Sequence, residues 1–472
     1  MNKIQTTDNN YGQHAIVING VDAQNVASEV RECVQRILMP YAGVDIARLA
    51  EENPGLLVFP SVLGKNDDCI GEKCIYSLSA GNLTTHNIAG IVGIGKGEAR
   101  VELSIHSRFD MHGEKQYFLN TMLTHVLGIN LLNLDVFSGE ERIWDLLPYL
   151  FPYFLNEAAS QGLFRAYQNF RFNDTDVRGT INIARHIDEN IPFKGTVAYE
   201  TREYSDNNMV MQLVRHVIEY ISSRSDLRGI LQANERIRRN ITLVRMATPD
   251  YNRLMRQRVL QKNSRIVRHP YYTKWTDLQR LCRAILNHDK LSFDGECDGI
   301  HGVVFDVAWL WEEYLAITLK KFGYTHAEIN TGINGLWIFE NRRNESIYPD
   351  FYSLNKKIVL DAKYKHLDYS HKIDRDDLYQ MISYIHILNG YKAILLYPRT
   401  GDTQYEVVGT LRGCGGEIGK LGFKVPSSNE CKNYSEYEVQ INNSMESFLL
   451  KLKSCEGERR VSDTLGGARV ME

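Results

Sequence analysis

The sequence predicts a multi-domain α/β protein. A mixed α+β region is expected over residues 1–135, a mostly helical middle over 136–300, a compact α/β domain over 301–455 and a flexible tail over 456–472. Three observations predict this. The 472 residues exceed what one ordinary core holds, so several domains are expected. With 43% apolar and 24% charged residues, the composition is that of a globular chain. After residue 300 the patterns run helix, hairpin, helix, strand, which is the order of a compact α/β domain.

Taken in order, residues 24–38 carry a helical pattern, and "RVELSIHSRFD" (100–110) alternates like a half-buried strand. From "FLNTMLTHVLGINLL" (118–132) to about residue 290, helical periodicity dominates. "DVRGTINIARHI" (176–187) and "GTVAYETREY" (195–204) interrupt it with strand residues. "FDGECDGIHG" (293–302) reads as a linker. A helix is then expected over 303–322, strands near 335–339 and 345–363, a helix over 374–388 and a strand at 392–398.

Several function classes are excluded early. No segment has the run of about 18 apolar residues that spans a bilayer. The most apolar stretch, "LLPYLFPYFL" (146–155), is short and holds Pro148 and Pro152. The N-terminus lacks an apolar signal core, and the eight cysteines are scattered, which suits free thiols in the cytoplasm. Cys69 and Cys74 lack a second pair that would complete a zinc site. The net charge of −3 is uninformative, but residues 236–283 hold thirteen Lys/Arg against Asp250 and Asp277. Arg253, Arg256, Arg258, Arg265 and Arg268 are candidate phosphate contacts there. A solvated helical face is the alternative of equal weight.

"GIVGIGKG" (90–97) matches part of a phosphate loop, G-x-x-x-x-G-K, yet Gly97 stands where Ser or Thr holds magnesium. The next residues, "EARVELSIH", alternate as a strand instead of opening a helix. A glycine-rich turn between strands is expected, and no nucleotide bound by this chain.

"YPDFYSLNKKIVLDAKYK" (348–365) carries the chemistry. With Asn355-Lys356 as a two-residue turn, Ser353 faces Ile358 and Asp350 falls opposite Asp361. A longer, bulged loop is the alternative. Lys363, two residues on, emerges on the same face. Facing carboxylates repel unless a divalent cation lies between them, and Mg2+ is commonly held by one or two carboxylates. Two acids and an ammonium are thus a minimum set for metal-assisted phosphodiester hydrolysis. The bland alternative is a solvent-facing hairpin whose acids pair with neighbouring lysines. "VVFDVAWLWEEYLAITLKK" (303–321) offers Glu312 or Glu313 to such a site. "DDLYQMISYIHIL" (376–388) places Gln380 and Tyr384 on one helix face.

The series "LWEEYL", "YPDF", "IVLDAKYK", "DLYQMISYI" resembles the PD-(D/E)XK nuclease superfamily, and within it the McrC family of McrBC-type restriction systems. Upstream, "GLFRAYQNF" (162–170) and "VRGTINIARHI" (177–187) are similar to that family's middle region, an Arg/Tyr-rich helix followed by Arg-Gly-x-Ile. The resemblance implies a restriction-endonuclease-like domain in which Asp350, Asp361 and the Ala362 carbonyl hold Mg2+, with Mn2+ as a substitute. It makes Glu312 the helix acid, Lys363 the residue assisting the attacking water, and Gln380 and Tyr384 their supports. It further implies DNA as substrate and an AAA+ McrB-like GTPase or ATPase ring as partner in a hetero-oligomer, with docking through the N-terminal region. Two rivals stand beside this reading. One is a repair or recombination nuclease of the same fold, and the other a non-cleaving DNA-binding adaptor that activates an AAA+ motor.

Overall fold

The computed structural model describes residues 2–10, 16–53, 55–59, 74–79, 82–96, 99–110, 115–127, 140–225, 227–294, 299–327, 334–367, 373–413 and 415–457. The expected tail from residue 458 on lies outside them, as does Cys69. Chain contacts divide the protein into two compact units, one of residues 1–138 with 298–472, the other of residues 139–297.

The first unit is built on two large sheets, beside two small two-stranded ones. Its N-terminal sheet has seven strands. At the centre Asn2–Thr7 runs parallel to Ala99–His106, which pairs antiparallel with Ile88–Lys96. Ile300–Asp306 then pairs antiparallel with Ile88–Lys96 and parallel with Leu56–Phe59. Apolar alternation closes the core beneath it, from Ile4, Val92, Leu103 and Ile105 to Val304. Two expectations are corrected here. Residues 300–306 are a central strand, not linker and helix, because "IHGVVFD" has β-branched residues that fill a gap between two distant strands. The helix begins only at Val307, where Asp306 Oδ1 accepts from the Ala308 and Trp309 amides. A cap of this kind is worth about 1 kcal/mol.

The C-terminal sheet has six strands in the order Thr325–His326, Phe351–Ser353, Ile358–Ala362, Lys392–Arg399, Glu417–Lys424, Gln404–Thr410. Helix Arg375–Leu388 covers one face, where Met381, Tyr384 and Ile385 meet Val359, Leu395 and Ile418. On the other face Trp311, from helix Val307–Leu319, and Phe448, from helix Tyr434–Gly457, pack on Phe423. Sequential strands Ile358–Ala362 and Lys392–Arg399 are parallel, and the helix between them is their crossover.

The second unit combines helices Glu140–Ser160, Met209–Ser223, Glu235–Ala247 and Thr273–Asp294 with a three-stranded antiparallel sheet. Val214, Val217, Ile218, Ile237, Val244, Leu278 and Leu281 are buried among them. Two further expectations are corrected. Ala166–Asp174, part of the segment likened to an Arg/Tyr-rich helix, is a strand, since "AYQNFRFND" alternates with period two. Conversely, Ile183–Asn190 is a helix capped by Asn182, whose side chain accepts from the Arg185 amide. The β-branched residues of "TINIARHI" contribute only the short strand Thr180–Ile181.

Candidate active site

The hairpin that the sequence singles out is formed by Phe351–Ser353 and Ile358–Ala362. Ser353 pairs with Ile358 and Phe351 with Leu360, so the register carries Asp350 to a position opposite Asp361. The turn differs from the two-residue form. Residues 354–357 make a four-residue turn in which Lys357, not Asn355, takes positive φ (54°). The four-residue turn keeps the Ser353–Ile358 register and moves the left-handed residue to its last position.

Around this hairpin the candidate side chains converge. Asp350 Oδ2 accepts from the Ala362 amide at 2.6 Å, which ties the two strands together at their acidic ends. Asp361 is fully buried. Its Oδ2 lies 2.8 Å from Lys363 Nζ, and its Oδ1 has no hydrogen-bond partner. Lys363 Nζ donates to Gln380 Oε1 at 3.0 Å, Gln380 Nε2 donates to Tyr384 Oη at 2.8 Å, and Tyr384 Oη donates to the Tyr348 carbonyl at 3.3 Å. A chain of contacts therefore runs from the ammonium back to the main chain just before Pro349-Asp350. The spacing of Gln380 and Tyr384, one helical turn apart, makes this possible.

Electrostatics set the character of the site. Burial raises the Asp350 carboxyl, and the Asp361 charge adds to it; together they push Asp350 up to about 7. Burial also raises Asp361 against the opposing pull of Lys363. Glu312 is raised well above the usual carboxylate range, first by burial, then by the charges of Asp350, Glu313 and Asp361. Burial works against charge on Lys363, but Asp361, Asp350 and Asp377 outweigh it and hold the ammonium above its ordinary value. Of the two helix acids, Glu312 is thus the one that shares the field of the aspartate pair.

These features bear on whether a hard cation fits. Among the described residues no three His, Cys, Asp or Glu side chains gather as a ready-made metal cage. The pair does fit an ion that keeps its own waters and takes one or two carboxylates, as Mg2+ does. An unpartnered buried Oδ1 and two carboxyls raised first of all by burial are both relieved by a positive charge beside them.

Sequence reasoning missed three contributors. His326, on the edge strand, donates from Nδ1 to the Asp350 carbonyl at 2.9 Å and stacks on Phe351. It also stands 3.7 Å from Glu312 and 3.5 Å from Glu313. Asp377 meets Lys363 at 3.5 Å and Lys365 at 2.9 Å. Tyr364 lies buried against the N-terminal part, with Ser107 Oγ 2.7 Å from its hydroxyl and Phe109 edge-on to its ring. Asp377 was readable as one helical turn before Gln380. The other two depend on long-range packing.

The candidate phosphate contacts lie in the second unit, on Arg253–Met255, Arg256–Lys262 and the segment that follows. Arg253, Arg258, Arg265 and Arg268 are exposed. Arg256 is half-buried, donates to the Leu286 carbonyl at 2.5 Å and sits over the Tyr220 ring. No described helix is long and apolar enough to cross a membrane.

A family model described as McrBC 5-methylcytosine restriction system component matches residues 83–398. No curated protein matches the chain. Among solved structures, similarity is found to a half-complex from a tetradecameric assembly of Thermococcus gammatolerans McrB AAA+ hexamers with bound McrC. It has 15% identity, covers 93% of this chain and 99% of that chain, and has a TM-score of 0.45. A cryo-EM structure of the Thermococcus gammatolerans McrBC complex is similar at 13% identity, covering 68% of this chain and 87% of that chain, with a TM-score of 0.31.

Proposed function

The chain belongs to the family of McrBC 5-methylcytosine restriction system components, and from that premise we propose that it is the DNA-cleaving subunit of such a system. The observation that carries this reading is Asp361, buried opposite Asp350 with one carboxylate oxygen unpartnered and an ammonium at the other. We read the six-stranded sheet, with helices on both faces, as a PD-(D/E)XK restriction-endonuclease-like domain.

Asp350, Asp361 and the Ala362 carbonyl are the ligands this reading assigns to Mg2+ or Mn2+, with Glu312 as the helix acid beside them. When bound, such an ion offsets charge on a phosphate and lowers the pKa of water. Lys363 stays an ammonium in the field of three aspartates, so it acts by donating hydrogen bonds and supplying charge. That suits it to hold the attacking water or a phosphate oxygen, not to take up a proton. Gln380 fixes the Lys363 Nζ, and Tyr384 fixes Gln380. Near-attack placement of this kind is what lowers the barrier of an in-line displacement.

The partner we infer is an AAA+ ring of the McrB kind, hydrolysing GTP or ATP and engaged by the N-terminal region in a cytoplasmic hetero-oligomer. In this chain, the segment that spells part of a phosphate loop lies within strand Ile88–Lys96, so the motor belongs to another polypeptide. The test is to purify the chain with its ring partner and assay methylated and unmethylated plasmid with Mg2+ and nucleotide. Cleavage by the wild type, lost in Asp361→Asn with partner stimulation retained, is the expected result. Stimulation without any cleavage by the wild type gives the protein to the adaptor reading instead.

A further inference from the structure

In the second unit, a cavity of about 600 Å³ opens between the three-stranded sheet and the helices behind it. Its wall begins with Phe164 and two tyrosines, Tyr167 and Tyr204, which sit directly opposite each other on neighbouring strands. Their ring centroids are 5.2 Å apart, and the two residues remain 62% and 47% exposed. Two large aromatic faces in water, side by side, cost hydrophobic free energy that a stacking ligand recovers. Arg202 lies over the Tyr167 ring at 4.6 Å.

The charge of the lining has one sign. Arg165 and Lys262 contribute to it, and no acidic residue does among the described residues. Arg165 is paired outside the lining with Asp206 at 2.5 Å. Lys262 ends the helix Arg256–Lys262, and the chain on either side of it carries the exposed Arg258 and Arg265. The polar amides that line the interior are already used by the fold. Asn208 caps helix Met209–Ser223, and Gln279 donates to Asn263 at 2.8 Å. A ligand here meets stacking surface and positive charge, with few free hydrogen-bonding groups to read its edges.

We infer that this cavity receives an unstacked base and the adjoining phosphates of single-stranded DNA. Aromatic faces with a cationic track and little edge readout are the chemistry of sequence-tolerant single-strand binding. A duplex keeps its bases stacked and offers the tyrosines nothing. A free mononucleotide offers one phosphate group and no continuation along the basic segment. The inference deepens the DNA-cleaving reading and rests on it for the identity of the polymer. It adds a single-strand contact made by this subunit itself, away from the aspartate pair.

The test uses the full chain with EDTA present, so that binding is measured without cleavage. The probes are a fluorescein-labelled oligothymidylate of about 20 nucleotides, the duplex of equal length, and dTMP as competitor. The oligothymidylate is expected to bind more tightly than the duplex, and dTMP is expected not to displace it. Tyr167→Ala with Tyr204→Ala should weaken binding about tenfold or more, while the paired Tyr→Phe changes keep it. Lys262→Ala should lower the salt slope by about one. Melting curves establish that each variant is folded, and the surface change Lys262→Glu gives a second disruption independent of the tyrosines. Equal binding by the Ala variant and the wild type, absence of oligothymidylate binding, or equal competition by dTMP overturns the inference. Because metal is absent, a chain that binds but never cuts sinks only the nuclease reading. A chain that cuts while its tyrosines prove indifferent sinks only this one.

Discussion

Two hairpins in the first unit each spell a short motif associated with phosphate chemistry, and they meet opposite fates. In the N-terminal one, Ile88–Lys96 with Ala99–His106, Gly90 of "GIVGIGKG" serves backbone approach and Gly93 makes room for the His301 ring. A β-carbon on Gly90, at φ 144°, would fall 2.2 Å from the Val303 carbonyl oxygen, and Gly302 makes the reciprocal demand on Ile91. From Gly90 to Ile94 the backbone is paired with strands on both sides, so these residues form a strand interior and not an anion-cradling loop. In the hairpin Phe351–Ser353 with Ile358–Ala362, the ladder forms as well, yet Asp361 is buried with an oxygen unpartnered. A motif becomes chemistry only where folding leaves its polar atoms unspent.

The largest effect is expected at the unspent atom. Losing even an outer partner of a metal ligand costs roughly 10–100-fold, so Asp361→Asn should cost cleavage more than that. The same change removes a buried carboxylate held at a raised pKa, so the melting temperature should hold steady or rise in metal-free buffer. A large fall in stability would show that Asp361 is spent after all, on its pairing with Lys363. At the other hairpin, Gly90→Ala should destabilise the N-terminal sheet by about 3 kcal/mol, read by denaturant titration. Lys96→Ala, by contrast, should leave any nucleotide affinity of the isolated chain unchanged. Loss of nucleotide binding in Lys96→Ala would return the phosphate-loop reading.

What was legible in the sequence follows from the range of the interactions involved. The register that sets Asp350 against Asp361 was readable because a hairpin is local: its alternation and its turn lie within eighteen residues. Gln380 and Tyr384 were readable because a helix repeats. Strand Ile300–Asp306 was not, since its partners Leu56–Phe59 and Ile88–Lys96 lie more than two hundred residues away, and "DGIHG" has the composition of a loop. His326 escaped for the same reason: a lone histidine gains meaning only once Thr325–His326 joins the sheet beside Phe351. The strand Ala166–Asp174 alternates clearly, but family likeness suggested a helix and outweighed the period. Arg256 shows the limit of charge counting, because its guanidinium is committed to the Leu286 carbonyl while its neighbours face solvent.

A smaller effect is expected from the groups that hold the unspent atoms in place. His326→Phe keeps a ring against Phe351 but removes the donor to the Asp350 carbonyl. Cleavage should fall about tenfold, with a higher Mg2+ requirement, while stability changes little. His326→Asn, which can donate a hydrogen bond from a similar position, should recover part of the loss. Equal activity in all three proteins would mean that Asp350 is placed by its contact with the Ala362 amide alone.

The smallest effect is a pH dependence, and its sign separates the two hairpins once more. Asp350 is pushed up to about 7, first by burial and then by Asp361, so the folded chain binds a proton there that the unfolded chain has released. Its contribution to stability is present in full below the ordinary carboxylate range and is lost as pH rises through about 7. Metal-free protein should therefore lose stability between about pH 5 and pH 8. A divalent cation competes with that proton, so the Mg2+ needed for half-maximal protection against thermal unfolding should fall over the same interval. Asp350→Asn should flatten both curves, whereas Gly90→Ala should shift melting equally at every pH, because nothing in its neighbourhood titrates on its account. If metal-free stability instead rises towards pH 8, Asp350 is already paired with a cation of the chain itself, and Lys363 takes the place this reading gives to the metal.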